Sequence, residues 1–530
     1  MPEIWDDYQV KRELILPTAI LAWEKIAHIE ELTQKKAPGV SFRTDNCARM
    51  KGKGAYLLLD FGKELCGGLR IVTRNAPTVT RLHLTFGESV SEACAAIGEK
   101  NAGNDHSPRD MEVVISNMSD LQFGQTGFRF ARVELLDDAA VDLINIYAVS
   151  TLPVFQQEAK IVTNDPLLNQ IIDTAAYTLK LNFQNGYIWD GIKRDRLVWC
   201  GDLHPEILTS LYLFGQTANV PRSLDFLREN TPNGTWVNTM PAYSAWWVVN
   251  LLDYVNLTGD QDYLHRHQDY VEEIFDQFSR HIDESGNLHL PSYFLDWPSC
   301  GTPDAELGTA ALLVWTARKY LAIQESSAAR RIDQKLQHYL DKPAAFKQIR
   351  AFQIIAGGDS TGGKAFLEEG GAKGMSTFMA YYILTGAAIT GSTEMLNMLK
   401  AFYGGMLSRG ATTFWEDFDI DWLEGSGRID CLPEPGQTDI HGDYGKFCYT
   451  QFRHSLCHGW SAGVLAFIIE HIIGLRAYNG FREVEVIPHS LGLTDVDASF
   501  PTPYGTLSIR THGGKTHVEL PAGITLRSGN

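Results

Sequence analysis

The segment NDPLLNQIIDTA at residues 164–175 decides the fold, because the hydrophobic period changes there from that of strands to that of helices. Asn164 or Asp165 is suited to cap a helix, and Pro166 fits its first turn. Apolar side chains then recur along one helical face: Leu168, Ile171, Ile172 and Ala175. The segment therefore predicts the boundary between a β region and a helical region.

Helical patterns continue far beyond this boundary, separated by loops rich in Trp, Asp, Gly and Pro. They cover residues 205–214, 244–256, 260–281, 304–323, 328–339, 377–389, 393–409 and 458–473. Many amphipathic helices without long strands predict an all-α toroid or a solenoid. We find no repeat of fixed period in the sequence, which disfavours the solenoid.

Strand patterns lie on both sides of the helical region. Residues 54–152 contain short β-rich runs such as AYLLLDFG, LRIVTR and TRLHLTFGE, several with alternating apolar residues, and these predict a β-sandwich. Similar runs return after Gly480 in a piece that is small for a free-standing domain, so we expect it to pack on the helical body. The predicted domains are residues 1–155 (β-sandwich), 156–478 (helical, catalytic) and 479–530 (small β domain).

Composition excludes several classes of protein. The 530 residues carry 46 basic and 64 acidic side chains, a net charge of −18, with no basic block, so nucleic acid and anionic membranes are unsuitable partners. The eight Cys are scattered without CxxC or zinc spacing, which predicts reduced thiols. We see no signal peptide and no apolar run long enough to span a bilayer. These features predict a cytoplasmic protein.

The densest polar segment is DGIKRDRLVWCGD at residues 190–202, which holds three Asp and two Arg. Asp190 and Arg194 are four apart and would pair if that turn were helical. A salt-bridge network in a loop is the simpler interpretation. Against it, the segment contains Trp199 and continues into further titratable groups, His204 and Glu206, a common setting for perturbed pKa values.

Two further clusters place carboxylates or imidazoles beside aromatic rings. ATTFWEDF at residues 411–418 contains Glu416 and Asp417, of which only one should face a pocket, since neighbouring residues point different ways. HSLCHGWSAG at residues 454–463 contains two His and a Trp. The ordinary alternatives are an acid at the exposed edge of an amphipathic helix for the first cluster and a core or capping histidine for the second.

Aromatic residues make up 11% of the chain and include twelve Trp. Trp and Tyr present an apolar face with a polar tip, which suits a sugar ring as well as a protein core. Glycoside hydrolysis needs one protonated carboxyl at the leaving oxygen and a second carboxyl for the water or the anomeric carbon. The sequence has no competing metal cage, phosphate loop or GxSxG elbow, so we expect a glycosidase without cofactor or metal.

The pattern Asp190-x-x-x-Arg194-Asp195-Arg196-x-x-Trp199-x-Gly201-Asp202 resembles the signature of the α-L-rhamnosidases of glycoside hydrolase family 78. The runs TFWE (413–416), LCHGWSAG (456–463) and PTPYG (501–505) are similar to that family too. In the β region, DFG (60–62), FGES (86–89) and TGFRF (126–130) look like its N-terminal sandwich. The resemblance runs in order through nearly the whole chain.

The resemblance implies an (α/α)6 barrel flanked by an N-terminal β-sandwich and a small C-terminal β-sandwich domain, and inversion during release of terminal α-L-rhamnose. By position, Asp195 would be the general acid and Glu416 the general base. An inverting site predicts these carboxyls ~6.5–9.5 Å apart. The implied sugar-binding or pocket-lining residues are Asp190, Arg194, Asp202, His458, Trp247, Asp296 and Trp297, with Trp199, Trp415 and Trp460 as further aromatic candidates.

The chain departs from the family in two respects. Many members carry Glu where this chain has Asp195, and Cys-Pro where it has Gly191-Ile192. Asp is one methylene shorter, so the acid reaches less far or its segment sits closer to the sugar. The chain is also short for the family, which favours a small free rhamnose-containing glycoside as substrate over recognition by external carbohydrate-binding modules.

Alternatives stay open. Related barrels include glycoside phosphorylases, which need a cationic phosphate site, and exo-hydrolases acting on L-fucose, glucuronides or glucose. A catalytically dead carbohydrate-binding protein is disfavoured, because both candidate carboxylates and their arginine partners are present. A homodimer is also open. Residues 104–110 would rim the pocket of their own chain or a neighbour's, but we interpret them as a solvated turn.

Overall fold

A computed structural model describes residues 9–36, 39–40, 46–77 and 79–527. In its N-terminal part, nine antiparallel strands form one sheet in the order β3-β4-β9-β5-β8-β6-β7, with β1 on β9 and β2 on β5. A short helix, α1 (Val90–Cys94), follows β6. The strands are β1 (Val10–Ile15), β2 (Ala19–Glu24), β3 (Ile26–Ala27), β4 (Ala48–Lys51), β5 (Tyr56–Arg74), β6 (Thr80–Gly87), β7 (Asp110–Ile115), β8 (Asp120–Leu135) and β9 (Ala140–Pro153).

The central strands of this sheet are longer than the sequence predicted. AYLLLDFG and LRIVTR, predicted as two strands, are one strand, β5, whose register shifts between Asp60 and Leu65 and again between Gly67 and Leu69. Such irregularities bend a strand without ending it. Apolar side chains of β5, β6, β8 and β9 form the hydrophobic core of this region.

The helical region begins where the sequence predicted. The Asp165 carboxylate accepts the N–H groups of Leu167 and Leu168 at 3.0 Å, and Pro166 occupies the first turn. The helices are α2 (Pro166–Asn182), α3 (Cys200–Phe214), α4 (Asn219–Glu229), α5 (Pro241–Thr258), α6 (Gln261–Arg280), α7 (Asp304–Leu321), α8 (Ser327–Leu336), α9 (Lys347–Ile355), α10 (Gly363–Glu368), α11 (Ala380–Ile389), α12 (Met395–Ser408) and α13 (Gly463–Phe467).

Three of these helices, α4, α9 and α10, were not predicted, and two predicted ends were wrong. Helix α3 begins at Cys200 rather than at Pro205, because the proline lies inside the helix instead of in its first turn. The helix predicted for residues 458–473 is a 3-10 turn (Gly459–Ala462), then α13, then a π-helical turn (Ile468–Ile473).

Six helices contact one another in a closed cyclic order, α3-α5-α7-α9-α11-α13 and back to α3. Every residue of α3 is buried, whereas α4, α6 and α8 each bury one face. Helices buried all round belong to a core and amphipathic helices to its outer layer. The even-numbered helices from α2 to α12 therefore surround this inner ring. No helix of the described residues has the length and apolarity needed to cross a membrane.

Small sheets pack on the helical region. A hairpin of β11 (Phe183–Gln184) and β12 (Tyr187–Ile188) follows α2. Near the C terminus, β10 (Lys160–Thr163) pairs with β15 (Asp495–Thr502) in the sheet β10-β15-β16-β17, and a second sheet has the order β13-β14-β18. Strands β10 and β13 belong to these sheets although both precede residue 479, the predicted start of the C-terminal domain. The others are β13 (Leu475–Tyr478), β14 (Glu483–Val486), β16 (Gly505–His512), β17 (Lys515–Glu519) and β18 (Thr525–Leu526).

Candidate active site

The polar segment at residues 190–202 is a closed loop leading into α3, not a helical turn. The N–H of Asp190 donates to the Leu197 carbonyl at 3.0 Å, and the N–H of Leu197 donates to Asp190 Oδ1 at 2.9 Å. Asp195 and Arg196 at its tip adopt left-handed φ angles of 54° and 57°. The Asp190 carboxylate is therefore engaged by its own loop and does not pair with Arg194 as a helix would require.

Backbone hydrogen bonds join this loop to the other two predicted clusters. Gly459 N–H donates to the Asp190 carbonyl at 2.7 Å, and His458 N–H donates to the Phe414 carbonyl at 3.0 Å. Glu416 N–H donates to the Ser455 carbonyl at 2.9 Å. Segments more than two hundred residues apart thus form one structure at one end of the helical ring.

One guanidinium connects the two predicted catalytic carboxylates. Arg194 donates from Nη1 to Asp195 Oδ1 at 3.0 Å and from Nη2 to Glu416 Oε1. Glu416 Oε2 also accepts the Ser455 N–H at 3.0 Å. Burial opposes the charge of Arg194, but Glu416 and Asp195 outweigh it and raise the pKa of Arg194. The Glu416 side chain is 1% exposed and that of Asp195 is 19% exposed, so Asp195 lies nearer the solvent.

His458 lies beside this pair. Its Nε2 is 3.0 Å from Asp202 Oδ1, and its Nδ1 is 3.9 Å from Glu416 Oε1. Burial lowers the pKa of His458 to about 4, so the imidazole is neutral near pH 7. Nδ1 has no hydrogen-bond partner among the described residues, so it is available to a group bound in the site.

Three neighbouring acids favour their protonated forms. Burial raises the pKa values of Asp190, Asp202 and Glu206 well above their ordinary range, and mutual repulsion adds to the shift. Neither carboxyl oxygen of Glu206 has a partner in the described part of the chain. Gly459 permits this packing, because a Cβ there would come within 1.6 Å of Glu206 Oε1. Neutral and ionised carboxyls together can donate to and accept from hydroxyl groups.

An aromatic wall stands beside the acids. The ring centroid of Trp460 lies 4.4 Å from that of His458 and 6.0 Å from that of Tyr449. The ring centroids of Tyr449 and Trp297 are 5.8 Å apart. The Arg194 guanidinium lies 5.6 Å from the Tyr449 ring. Sequence reasoning missed Tyr449, which has no charged neighbour to mark it.

Asp296 and Trp199 also occupy this end of the ring. The Asp296 carboxylate accepts the Ser376 hydroxyl and, at 2.8 Å, the Trp297 N–H. Burial raises the pKa of Asp296 to about 6. Trp199 caps the start of α3 and lies edge-on to Tyr243, with ring centroids 6.0 Å apart.

Two predicted tryptophans belong to the core instead. Trp247 is fully buried against Tyr270, and its indole N–H donates to the Leu224 carbonyl at 3.0 Å. Its neighbour Trp246 faces Phe378, which stacks on Trp460. Trp246 is fully buried as well, so neither indole of this pair is exposed.

Trp415 is also buried, 1% exposed, against Phe418 and His454, while Glu416 beside it reaches the site.

The loop at residues 104–110 is partly exposed, as a solvated turn would be, but it also contacts the segment that carries Asp195. His106 Nδ1 lies 3.0 Å from Asp195 Oδ1 of the same chain, and Ser107 Oγ donates to the Lys193 carbonyl at 2.7 Å. Arg109 is buried. The N-terminal sheet region therefore contributes directly to the surroundings of Asp195, in line with the alternative in which this loop rims the pocket of its own chain.

A buried acid cluster below the loop has the composition of a metal site. Carboxylate oxygens of Glu88 and Glu92 and a ring nitrogen of His441 lie within 4.8 Å of one another. However, Lys193 Nζ already lies 2.8 Å from Glu88 and 3.2 Å from Glu92. Its ammonium supplies the positive charge that a metal would bring, so the cluster is an ion-pair network.

Two carboxylates bound by one arginine, with buried acids and aromatic rings around them, lie at one end of the helical ring, and paired carboxyls are what glycoside hydrolysis requires. Residues 156–348 match the family model described as the bacterial alpha-L-rhamnosidase 6 hairpin glycosidase domain. This match confirms, over these residues, the predicted resemblance to α-L-rhamnosidases. A search of curated proteins gives no match.

Solved structures show the same fold. A family 78 rhamnosidase of Bacillus sp. GL1 aligns with TM-score 0.73 and 19% identity over 94% of this chain and 55% of its own. A Klebsiella oxytoca rhamnosidase with rhamnose bound aligns with TM-score 0.65 and 19% identity over 87% of this chain and 96% of its own. The Streptomyces avermitilis α-L-rhamnosidase complexed with L-rhamnose aligns with TM-score 0.66 and 16% identity over 98% of this chain and 50% of its own. The chain thus spans about half the length of the Bacillus and Streptomyces proteins.

Proposed function

We propose that the protein is an exo-acting, inverting α-L-rhamnosidase that hydrolyses small rhamnose-containing glycosides, with Asp195 as general acid and Glu416 as general base. The bridging of both carboxylates by Arg194 carries this proposal. Inverting hydrolysis needs two carboxyls on opposite sides of the anomeric carbon, held at a set separation. A planar guanidinium with a donor at each end is suited to set that separation.

Glu416 suits the base better than its neighbour does. Its Oε1 lies 3.9 Å from His458 Nδ1, so one water can hydrogen-bond to both. The carboxylate would take one proton of that water, while the neutral imidazole accepts the other and aligns the oxygen. Asp417 turns elsewhere: its N–H donates to His454 Nε2, and its Oδ2 has no partner among the described residues.

Asp195 suits the acid because the leaving group must depart towards solvent. Its side chain is the more exposed of the pair. Asp190, Asp202 and Arg194 lie deeper, where they would bind the hydroxyls of a terminal sugar. The protonated forms favoured for Asp190 and Asp202 make them donors as well as acceptors.

The proposal includes the finer architecture that the resemblance implies. The closed cycle of six inner helices, enclosed by α2 and the other even-numbered helices, supports an (α/α)6 barrel. The bent strands of the nine-stranded sheet support an N-terminal β-sandwich. A barrel of this kind places the loops at one end around a single pocket, where an exo-acting enzyme takes a chain terminus.

A panel of p-nitrophenyl glycosides tests the activity, with the first-released anomer followed by NMR. We expect release from the α-L-rhamnoside with the β anomer appearing first. Asp195→Asn and Glu416→Gln should each lower kcat by about 10²–10⁴-fold, whereas the control Asp417→Asn should stay within a few-fold of wild type. Near-wild-type rates in both variants would refute the assignment, and the α anomer appearing first would refute inversion.

Two other outcomes would redirect the substrate class. Release from a different glycoside alone would indicate a sister specificity. Turnover that depends on phosphate would indicate a phosphorylase.

A further inference from the structure

A rigid loop of the N-terminal sheet region brings His106 to the candidate acid. The loop is closed by Asn104 Oδ1, which accepts the N–H groups of Arg109 at 2.9 Å and Asp110 at 3.0 Å. The buried Arg109 guanidinium donates to the Glu92 carbonyl at 2.6 Å and fixes the loop to α1. His106 therefore has a defined position rather than that of a free surface side chain.

His106 Nδ1 meets Asp195 at two atoms. It accepts a hydrogen bond from the Asp195 N–H, and it lies 3.0 Å from Asp195 Oδ1. A backbone amide can only donate, so Nδ1 must present its lone pair and the ring proton must be on Nε2. Nε2 faces Asp105 Oδ2 at 3.8 Å, and Asp105 is paired with Arg453. The surroundings thus select one tautomer of a neutral imidazole.

The backbone at Asp195 needs such support. Asp195 and Arg196 are consecutive non-glycine residues with left-handed φ angles of 54° and 57°, a conformation that L-residues adopt only when neighbouring contacts hold it. Arg194 holds the Asp195 carboxylate from one side at 3.0 Å, and His106 accepts the Asp195 N–H on the other.

We propose that His106 is a positioning residue for Asp195: by accepting the Asp195 N–H it holds the left-handed backbone that places this carboxyl at the leaving group. This inference rests on the proposed role of Asp195. The N-terminal region is then part of the catalytic apparatus.

Leaving-group dependence tests the inference, because proton donation matters most when the leaving group is poor. We would compare 2,4-dinitrophenyl and 4-methoxyphenyl α-L-rhamnosides for wild type, His106→Ala, His106→Asn and Asp195→Asn. The control is His83→Asn, since His83 pairs with Asp110 at 2.7 Å on another strand of the same sheet. Equal melting temperatures would establish that each variant is folded.

We expect His106→Ala to lower kcat on the poor leaving group by about 10–100-fold, as displaced catalytic groups do, and to change the dinitrophenyl rate and KM little. His106→Asn should recover most of the loss, because its Oδ1 can accept the Asp195 N–H. If Asp195→Asn is sensitive to the leaving group while His106→Ala matches the His83 control, the His106 inference is wrong. If Asp195→Asn itself shows no such sensitivity, the proposed function fails instead.

Discussion

The substitution Lys193→Met should lower the free energy of unfolding, because it removes a buried ion pair between the N-terminal sheet region and the helical region. The Lys193 side chain is 8% exposed, and its ammonium contacts Glu88 at 2.8 Å and Glu92 at 3.2 Å. It also donates to the carbonyls of Phe452 at 3.0 Å and His454 at 2.7 Å. Methionine has a similar length and no charge, so the substitution removes the cation and leaves two carboxylates buried.

The expected loss is about 3–5 kcal/mol near pH 7, the cost of breaking a buried pair on one side. Burial already raises the pKa of Glu88 to about 7 despite the opposing charge of Lys193, so its pKa rises further in the variant. An acid with a raised native pKa gives stability that is lost as the pH rises through that pKa. Above pH 7 the variant should therefore lose about 1.4 kcal/mol more per pH unit.

Thermal unfolding at pH 5.5 and pH 8 measures this loss. At ~2–4 °C per kcal/mol, the melting temperature should drop by about 10 °C at pH 8 and by clearly less at pH 5.5. Lys100→Met is the control, since Lys100 pairs with Asp443 across the same two regions at 2.6 Å but is 37% exposed. We expect its loss to be below ~1 kcal/mol at both pH values. Equal losses in the two variants, or a Lys193 loss independent of pH, would refute the reasoning.

Three further variants test individual contacts. Burial and nearby acids raise the pKa of Asp417 from 3.8 to about 7, so Asp417→Asn should gain about 2–3 kcal/mol more unfolding free energy at pH 8 than at pH 5; equal gains in denaturant melts would contradict this. Gly459→Ala should unfold at a lower temperature, because its Cβ would meet Glu206 Oε1 at 1.6 Å, and Glu206→Ala in the same chain should restore stability. Trp247→Phe should lose about 1–3 kcal/mol in denaturant with KM unchanged, since its indole N–H is bound in the core; a raised KM would return it to the pocket.

Local sequence patterns predicted the parts of the fold that depend on local physics. Asp165 and Pro166 began the helical region because capping and proline preferences act within a few residues. The start of α3 was wrong for a related reason: Pro205 favours a first turn, but packing of the preceding residues extended the helix back to Cys200. Trp246 and Trp247 give the same signal in the sequence, and the rotation of α5 decides which aromatic neighbours each ring contacts: Phe378 for Trp246 and Tyr270 for Trp247.

The candidate site was predictable as a set of segments but not as a geometry. Spacing suggested a pair between Asp190 and Arg194, which would follow from a helix. The loop instead bonds Asp190 to Leu197 and frees Arg194 to join Asp195 to Glu416. The pairing of Arg194 depends on hydrogen bonds between segments that lie more than two hundred residues apart. Local sequence preferences do not predict such contacts.

The acid-bearing loop belongs to the interface between regions as much as to the helical ring. Its Ile192 carbonyl accepts the Gly127 N–H at 3.0 Å, and its Lys193 carbonyl accepts Ser107 Oγ at 2.7 Å, both from the N-terminal part. A Cβ at Gly127 would meet Ile192 Cγ1 at 2.7 Å, so the two backbones pack without a gap. Residues 190–197 thus take contacts from both regions around the left-handed turn at Asp195. Under the proposed role of Asp195, the N-terminal region would act on catalysis through the position of this one carboxyl.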